Sequence, residues 1–373
     1  IHGGKDHAQS RYIFTNLYKH TYNLFNKLDE PIYEYLNDEG KQIEPKYYVP
    51  VLPYILFNGC QGIGTGWSTD IPCFDPKDII KNVENFINNK SMYEMLPFYK
   101  GFTGKIIKVN DTSFKTKGIY EIKGNKIIIK ELPIGVWSEK YKEFLESITI
   151  DSKNKNKKQI LKYYNTYCTD IRVHFELFMD ESIIENLNVM DWGSNMTKLE
   201  KTLKLCSVIN LSNMVLYDSQ NKIKKYSSVN DIIKDFGILR LKFYKKRKEY
   251  MVKELQEIIN TLEYKIKFIN EFINDTIKII RVKKPKVIEQ LKEKTYPLVD
   301  NKYDYLLKIT IDNLTEEKIE ELENTCKKNK DELGSLKSKT VTDLWMDDIN
   351  LIKKDLAEYG YDFNKKKLKI IEK

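Results

Sequence analysis

The chain has 373 residues, of which 41% are hydrophobic, and a formal net charge of +9. This length allows two or three domains with real cores, while no apolar run is long enough to span a membrane, so no membrane partner is expected. The five scattered cysteines lack Cys-x-x-Cys spacing and the four histidines form no ligand pair, which disfavours a zinc site or a disulfide framework.

The first stretch of the chain places a flexible Gly3-Gly4-Lys5 in front of the pair Arg11-Tyr12. A phenol is a weak nucleophile at neutral pH, and a permanent positive charge beside it favours the phenolate. The same charge can stabilise a phosphorus centre under attack. Alternatively, the tyrosine is a half-buried anchor. Gly-Gly-Lys is not a P-loop, because the required spacing is absent.

Residues 1–49 are predicted to be mainly helical. The apolar residues follow a rough helical spacing at Tyr18, Tyr22, Leu24, Phe25 and Leu28. The pattern ends at Asp29-Glu30-Pro31.

A glycine-rich block follows from Asn58 to Gly66, with Ile63 at its centre. One interpretation is a tight turn between buried segments, in which glycine supplies positive φ. The other is a close approach of the backbone to a duplex, so that Ile63 enters between base pairs and kinks the DNA. Both remain open from the residues alone.

The middle of the chain mixes helix and strand signals. Asp75-Pro76 is a helix start, with Asp as N-cap and Pro in the first turn. Between Gly104 and Leu132 the pattern changes to strands, and Gly124-Asn125 predicts a two-residue hairpin turn.

From Asn230 onward the sequence predicts two long helices. The first has an apolar stripe at Leu255, Ile258, Leu262, Ile266, Ile269 and Ile273, and the second begins at Thr315, with a stripe at Ile319, Leu322, Cys326, Leu333 and Leu336. Two such stripes around a short interruption predict an antiparallel coiled coil with a tip. The basic residues at its start form a solvated face or a lining for DNA: Arg240, Lys242, Lys245, Lys246, Arg247 and Lys248. Asp347-Asp348 is expected to be surface charge.

Four blocks of the sequence resemble eukaryotic-type DNA topoisomerase II, a type IIA topoisomerase. They run from Gly3 to Thr15, from Tyr48 to Ser68, from Glu131 to Trp137 and from Asn213 to Tyr226. They stand in the family's order, and the resemblance extends from the first residue to about Leu356. A bacterial gyrase-like protein is a more distant alternative. The chain begins at Ile1, so we expect a fragment that runs from the DNA gate to the exit gate and carries the active-site tyrosine.

The resemblance implies a helix-rich multidomain α+β fold. Residues 1–49 would be the end of a winged-helix domain, 50–217 a mixed tower or shoulder domain, and 218–373 the coiled-coil arms and C-gate, with the dimerisation tip at about 284–310.

The resemblance also implies the site. Tyr12 would attack the DNA backbone and become linked to the 5′ phosphate, Arg11 would stabilise the transition state, and Ile63 would intercalate. Further DNA contacts are expected from Gly3, Gly4, Lys5, Ser10, Gly62, Thr65, Trp137, Lys204, Ser207, Asn210, Ser212 and Asn213. For Trp137, packing in a core is an equal alternative.

The implied activity is that of an ATP-dependent type II topoisomerase in the nucleus, which acts on double-stranded DNA as a homodimer joined at the C-gate. Mg²⁺ and ATP would bind to toprim and ATPase parts absent from this sequence, so we expect no metal ligands here and little or no cleavage by the fragment alone. The main alternative is a non-catalytic DNA-bending or architectural scaffold with a dimerising coiled coil.

Overall fold

The protein is described from a computed structural model, over residues 2–4, 6–150, 159–191, 195–299, 301–310 and 314–363. The chain divides into two compact units. The first comprises Ile1–Thr21, Leu52–Gly237 and Ala357–Lys373, and the second comprises Tyr22–Val51 and Ile238–Leu356.

The strands, in chain order, are β1 Tyr35–Asp38, β2 Lys41–Pro45, β3 Cys60–Ile63, β4 Ser68–Ile71, β5 Lys105–Asn110, β6 Ser113–Lys117, β7 Ile119–Lys123, β8 Lys126–Glu131, β9 Tyr163–Thr166, β10 Phe175–Phe178, β11 Cys206–Asn210, β12 Val215–Tyr217 and β13 Ile223–Lys225. The helices are α1 Thr21–Leu24, α2 Tyr54–Asn58, α3 Pro76–Ile87, α4 Ser138–Ile148, α5 Glu181–Leu187, α6 Lys198–Thr202, α7 Val229–Ile273, α8 Lys284–Glu293, α9 Asp304–Leu307, α10 Glu316–Ser338 and α11 Val341–Glu358. Short 3₁₀ turns span Ser10–Tyr12 and Lys27–Ile32. The predicted mixture of helix and sheet is confirmed.

The first unit is built on two antiparallel sheets with strand orders β7-β8-β10-β9 and β11-β6-β5, and on the separate hairpins β3–β4 and β12–β13. Its main core packs α4 against the four-stranded sheet through buried residues that include Ile127, Ile129, Tyr141, Phe175 and Leu177.

Two local predictions in the first unit are confirmed. The Asp75 carboxylate accepts a hydrogen bond from the Lys77 N–H at 2.9 Å, which caps α3 at its start. Lys123 pairs with Lys126 across the two-residue turn, where Gly124 has φ +57°. Both signals depend on neighbouring residues only, so the sequence carries them directly.

In the second unit, α7 and α10 run antiparallel. Lys248 Nζ donates to the Lys337 carbonyl at 3.0 Å, and Lys330 pairs with Glu263 at 2.7 Å. The helices share a core of Ile259, Cys326 and Leu333. The predicted stripe of α10 is confirmed, whereas in α7 the buried residue is Ile259 and the predicted Ile258 is 41% exposed. Both positions lie within one turn of Leu255, so spacing alone does not separate them.

The far end of this pair carries α8 and α9, which lie within the predicted tip. They close over a core of aromatic and aliphatic residues: Phe268, Ile269, Ile277, Leu291, Tyr296, Tyr303 and Leu306.

The prediction that residues 1–49 are mainly helical is wrong. This region contains the four-residue α1, two 3₁₀ turns and the β1–β2 hairpin. The apolar residues at helical spacing pack separately: Tyr18 contacts Tyr359, while Phe25 contacts Tyr48 edge-on. No continuous helix face is therefore buried by one partner.

The expectations for Arg240, Arg247 and Asp348 are also wrong. All three side chains are buried, with Arg240 fully so. They belong to a cluster of ion pairs with Asp29 and are neither a solvated face nor a lining for DNA. Among the described residues, no helix has an apolar stretch long enough to cross a lipid bilayer.

Candidate nucleic-acid interface

The pair Arg11-Tyr12 lies on the 3₁₀ turn Ser10–Tyr12. The turn is closed by hydrogen bonds from Tyr12 N–H to the Gln9 carbonyl at 2.9 Å and from Ile13 N–H to the Ser10 carbonyl at 3.1 Å. The Tyr12 side chain is 67% exposed, and the Arg11 guanidinium carbon lies 4.9 Å from the centre of its ring. A permanent cation therefore lies beside an accessible phenol, although the described contact is with the ring face.

Gly3 and Gly4 form a turn whose φ angles are +67° and +74°. The Trp137 indole lies directly against the first of them, because a Cβ added to Gly3 would come within 2.2 Å of the indole Nε1 and Cε2. Trp137 is 42% exposed, so it is neither a core residue nor a free one. The structure thus brings two predicted DNA contacts together. Lys5 lies outside the described residues.

Ile63 ends β3 in the hairpin β3–β4, where it pairs with Ser68. Its side chain is 93% exposed. Gly62 and Thr65, on either side of it, are also exposed. An isoleucine so exposed at the end of a hairpin is an apolar group that a duplex could accept between its bases.

The predicted contacts between Lys204 and Asn213 differ in what their side chains do. Lys204, at φ +52°, places its ammonium 4.3 Å from the centre of the Phe144 ring. Asn210 and Ser212 are exposed, at the end of β11 and shortly after it. These residues leave polar groups on the surface, as a phosphate contact requires.

Ser207 and Asn213 use their side chains inside the protein. Ser207 Oγ donates to the Ile134 carbonyl at 2.6 Å and lies 2.7 Å from Thr116 Oγ1. Asn213 Nδ2 donates to Ser68 Oγ at 2.9 Å, and its carbonyl accepts the Asp70 N–H at 2.9 Å. Ser207 therefore links two strands to the turn before Trp137, and Asn213 links its own segment to the Ile63 hairpin.

Sequence reasoning gave no role to Trp67 and Tyr217, whose rings meet edge-on beside the Ile63 turn. A signal was present, since a large aromatic directly after Gly64-Thr65-Gly66 is unusual for an exposed turn. In the part of the chain that the structure describes, no hydrogen bond or ring contact joins Arg11-Tyr12 to the other candidate residues.

No group of three His, Cys, Asp or Glu side chains within the described ranges is arranged to hold a metal ion. The residues present therefore do not fit a Mg²⁺ site, and no step is assigned to a metal here.

Residues 1–351 match the family model of DNA gyrase/topoisomerase IV. The chain is 37% identical over 385 residues to DNA topoisomerase 2 of Plasmodium falciparum, covering 94% of this chain and 27% of that protein. It is 35% identical over 377 residues to the mitochondrial DNA topoisomerase 2 of Dictyostelium discoideum, covering 99% and 28%. The chain thus spans about a quarter of the length of these relatives.

A solved structure is also similar. The crystal structure of the Plasmodium falciparum topoisomerase II DNA-binding, cleavage and re-ligation domain matches with a TM-score of 0.83 and 37% identity. The match covers 95% of this chain and 51% of that one.

Proposed function

Because the chain belongs to the DNA gyrase/topoisomerase IV family and its relatives include eukaryotic DNA topoisomerase 2, we propose that it is the DNA-cleaving and rejoining part of a type II DNA topoisomerase. The observation that carries the proposal is the exposed Tyr12 phenol beside the Arg11 guanidinium. A covalent phosphotyrosine conserves the phosphodiester bond energy, so cleavage is reversible.

The reaction exchanges one ester for another. Tyr12 Oη attacks a backbone phosphorus and loses its proton to solvent, the bond from phosphorus to the 3′ oxygen breaks, and that oxygen takes up a proton. The 5′ phosphate is then linked to Tyr12, and the reverse attack by the 3′ hydroxyl reseals the strand. Arg11 stabilises the negative charge that develops on the phosphorus oxygens.

Two copies of the chain act together, since each tyrosine cuts one strand of a duplex and a second duplex passes through the break. The α7–α10 pair and the tip at α8 and α9 form a coiled-coil arm whose end holds the dimer closed while the DNA is open. Mg²⁺ and ATP are assigned to other parts of the full-length enzyme.

Ile63 acts as a wedge in the duplex held by this dimer. Its exposure at the end of a hairpin supports this role, and unstacking one base step costs about a few kcal/mol. The bend that results brings the backbone phosphates to the nucleophile.

The test uses the full-length protein, end-labelled duplex DNA and Mg²⁺, with covalent complexes trapped by denaturant. The wild type should form a protein–DNA adduct, and Tyr12→Phe should form none. Arg11→Ala should slow adduct formation by about 10²- to 10³-fold, as the loss of one transition-state donor does. Tyr18→Phe is the matched control, because Tyr18 is also exposed in the same segment and should leave the adduct unchanged.

The polarity of the link is tested in the same reaction. A 5′ phosphotyrosine leaves a free 3′ hydroxyl that a polymerase extends, whereas a 3′ link blocks extension. An adduct that persists in Tyr12→Phe would remove the assignment of the nucleophile. Bending without any adduct in the wild type would favour the architectural scaffold.

The nucleus is the proposed location of the full-length protein. One relative is named as mitochondrial, so imaging of the tagged protein in its own cells is the direct measurement.

A further inference from the structure

The Ile63 hairpin is short for the task proposed for it. Strands β3 and β4 have four residues each and pair only with one another. A side chain that separates stacked bases meets a restoring force, and a two-stranded ribbon is weakly stable by itself. If Ile63 is a wedge, as proposed above, something must hold its turn in place.

The Trp67 indole lies against this turn. Gly64 N–H donates to the Trp67 carbonyl at 2.8 Å, which leaves Thr65 and Gly66 at the end of the hairpin, with Gly66 at φ +85°. A Cβ added to Gly64 would lie 3.2 Å from the indole Nε1 and 3.4 Å from Cε2. The absence of a side chain at Gly64 therefore lets the indole pack directly on the backbone next to Ile63.

Tyr217 supports the indole from the other side. The two ring centres are 5.7 Å apart at an angle of 84°, the edge-to-face arrangement that aromatic rings favour. Tyr217 is the last residue of β12 and pairs with Ile223 of β13.

The segment that carries Tyr217 is itself held in place. Asp218 Oδ1 accepts the N–H groups of Gln220 at 2.8 Å and Lys222 at 3.0 Å, which fixes the turn after Tyr217. The N–H groups of Lys222 and Gln220 hold the pKa of the Asp218 carboxyl below its usual range. Before the strand, Met214 is fully buried. The tyrosine is thus tied to a folded segment on both sides.

A second connection reaches the base of the same hairpin. Asn213, four residues before Tyr217, bonds to Ser68 through its side chain and to Asp70 through its carbonyl, both at 2.9 Å. The 213–217 segment therefore holds β4 through hydrogen bonds and the turn through ring contacts.

We propose that Trp67 and Tyr217 are positioning residues that hold the Ile63 turn rigid and so set the angle at which Ile63 enters the duplex. The inference rests on the proposed wedge role of Ile63. Neither ring needs to touch DNA for this function, because both act through the backbone at Gly64.

A consequence separates bending from binding. Affinity for DNA comes mainly from phosphate contacts, whereas the bend depends on how firmly Ile63 is held. Loss of the indole should therefore leave the duplex bound but less bent, with a broader distribution of end-to-end distances.

The experiment measures energy transfer between labelled duplex ends, bound to the full-length protein at saturation. Trp67→Ala and Tyr217→Ala should lose most of the bend that Ile63→Ala loses, while their affinities change less than about threefold. Tyr217→Phe keeps the ring and should keep the bend. The double variant Ile63→Ala/Trp67→Ala should bend DNA no less than Ile63→Ala alone, because the indole acts through Ile63.

Gly64→Ala tests the contact in the free protein, without DNA. Gly64 has no positive φ, so alanine strains no backbone there, yet its methyl group would displace the indole. Gly62→Ala adds the same methyl group into open space on the other side of Ile63. With fluorotryptophan labelling, the ¹⁹F signal of Trp67 should shift in Gly64→Ala and stay in place in Gly62→Ala.

The outcomes distinguish the two proposals. Unchanged bending in Ile63→Ala would remove the wedge and with it this inference. Reduced bending in Ile63→Ala together with wild-type bending in Trp67→Ala and Tyr217→Ala would overturn the positioning role alone. A further loss of bending in the double variant would mean that Trp67 acts independently of Ile63, which also contradicts the proposal.

Discussion

The Arg247 guanidinium binds the Asp29 carboxylate through two hydrogen bonds of 2.7 Å, from Nε to Oδ1 and from Nη2 to Oδ2. Both side chains are buried. Asp29 also accepts Arg240 Nη1 at 2.7 Å, and Arg247 Nη1 donates to Asp348 at 2.7 Å. Two cations and two anions therefore share one buried cluster in the second unit, so that each charge has an opposite neighbour.

Tyr244 lies at the centre of this cluster. Its ring is 4.3 Å from the Arg240 guanidinium carbon and 4.5 Å from that of Arg247, and its hydroxyl donates to Asp348 at 2.7 Å. Burial lowers the pKa of Arg247, but the hydrogen bond and charge of Asp29 and the charges of Tyr244 and Asp348 raise it above the ordinary value. Each member depends on the others, which makes the cluster sensitive to single changes.

Asp29→Asn should therefore destabilise the protein strongly. The substitution leaves two buried guanidinium groups with one carboxylate, and breaking a buried pair in this way costs about 3–5 kcal/mol. Urea unfolding followed by circular dichroism measures the change. Asp347→Asn is the control, because Asp347 pairs with Lys339 at an exposed position and such pairs add little. Similar unfolding midpoints for the two variants would contradict the role of the cluster.

Gly3→Ala should disturb the Gly-Gly turn more than Gly4→Ala does. Both positions have positive φ, so alanine strains the backbone at each. Only at Gly3 would the methyl group collide with Trp137, since a Cβ at Gly4 meets nothing within 4 Å. The ¹⁹F signal of fluorotryptophan-labelled Trp137 should shift further in Gly3→Ala. Equal shifts in the two variants would mean that the indole does not pack on Gly3.

DNA binding should weaken steeply as salt rises and should show little sequence preference. The expected plot of log affinity against log salt is linear, because released counterions dominate. Lys204→Gln should reduce the slope by about one if Lys204 contacts a phosphate. Lys318→Gln, at an ion pair with Glu321 on α10, should leave the slope unchanged. Equal slopes for Lys204→Gln and wild type would remove Lys204 from the interface.

Charges introduced at the tip should weaken dimerisation. Ile280 and Leu298 are exposed apolar residues near α8, 74% and 51% exposed, so substitution leaves the tip core intact. Ile280→Asp and Leu298→Asp should shift sedimentation equilibrium towards monomer, because an interface buries such groups. Ile258→Asp places the same charge at an exposed position of α7 and should leave the dimer unchanged. A dimer that resists both tip substitutions would contradict closure at this end.

Several parts of the fold could be predicted because their causes are local. The Asp75 cap, the Gly124-Asn125 turn and the start of α10 after Thr315 each depend on a few neighbouring residues. The stripe on α10 was likewise readable, since it repeats along one helix face. The candidate roles of Tyr12 and Ile63 came from the resemblance of short blocks, and the exposure of both side chains is compatible with those roles.

The tertiary structure decided what depends on residues far apart in sequence. The sequence by itself determined where helices and hairpins begin, because capping and turn chemistry act over a few residues. It did not determine that Arg240 and Arg247 turn inward, because their partner Asp29 is some 200 residues away and a basic run on one helix reads the same whether buried or solvated. The contacts of Trp137 with Gly3 and of Trp67 with Tyr217 arise in the same way. Only the folded chain brings these groups within reach, since packing joins surfaces that sequence spacing does not relate.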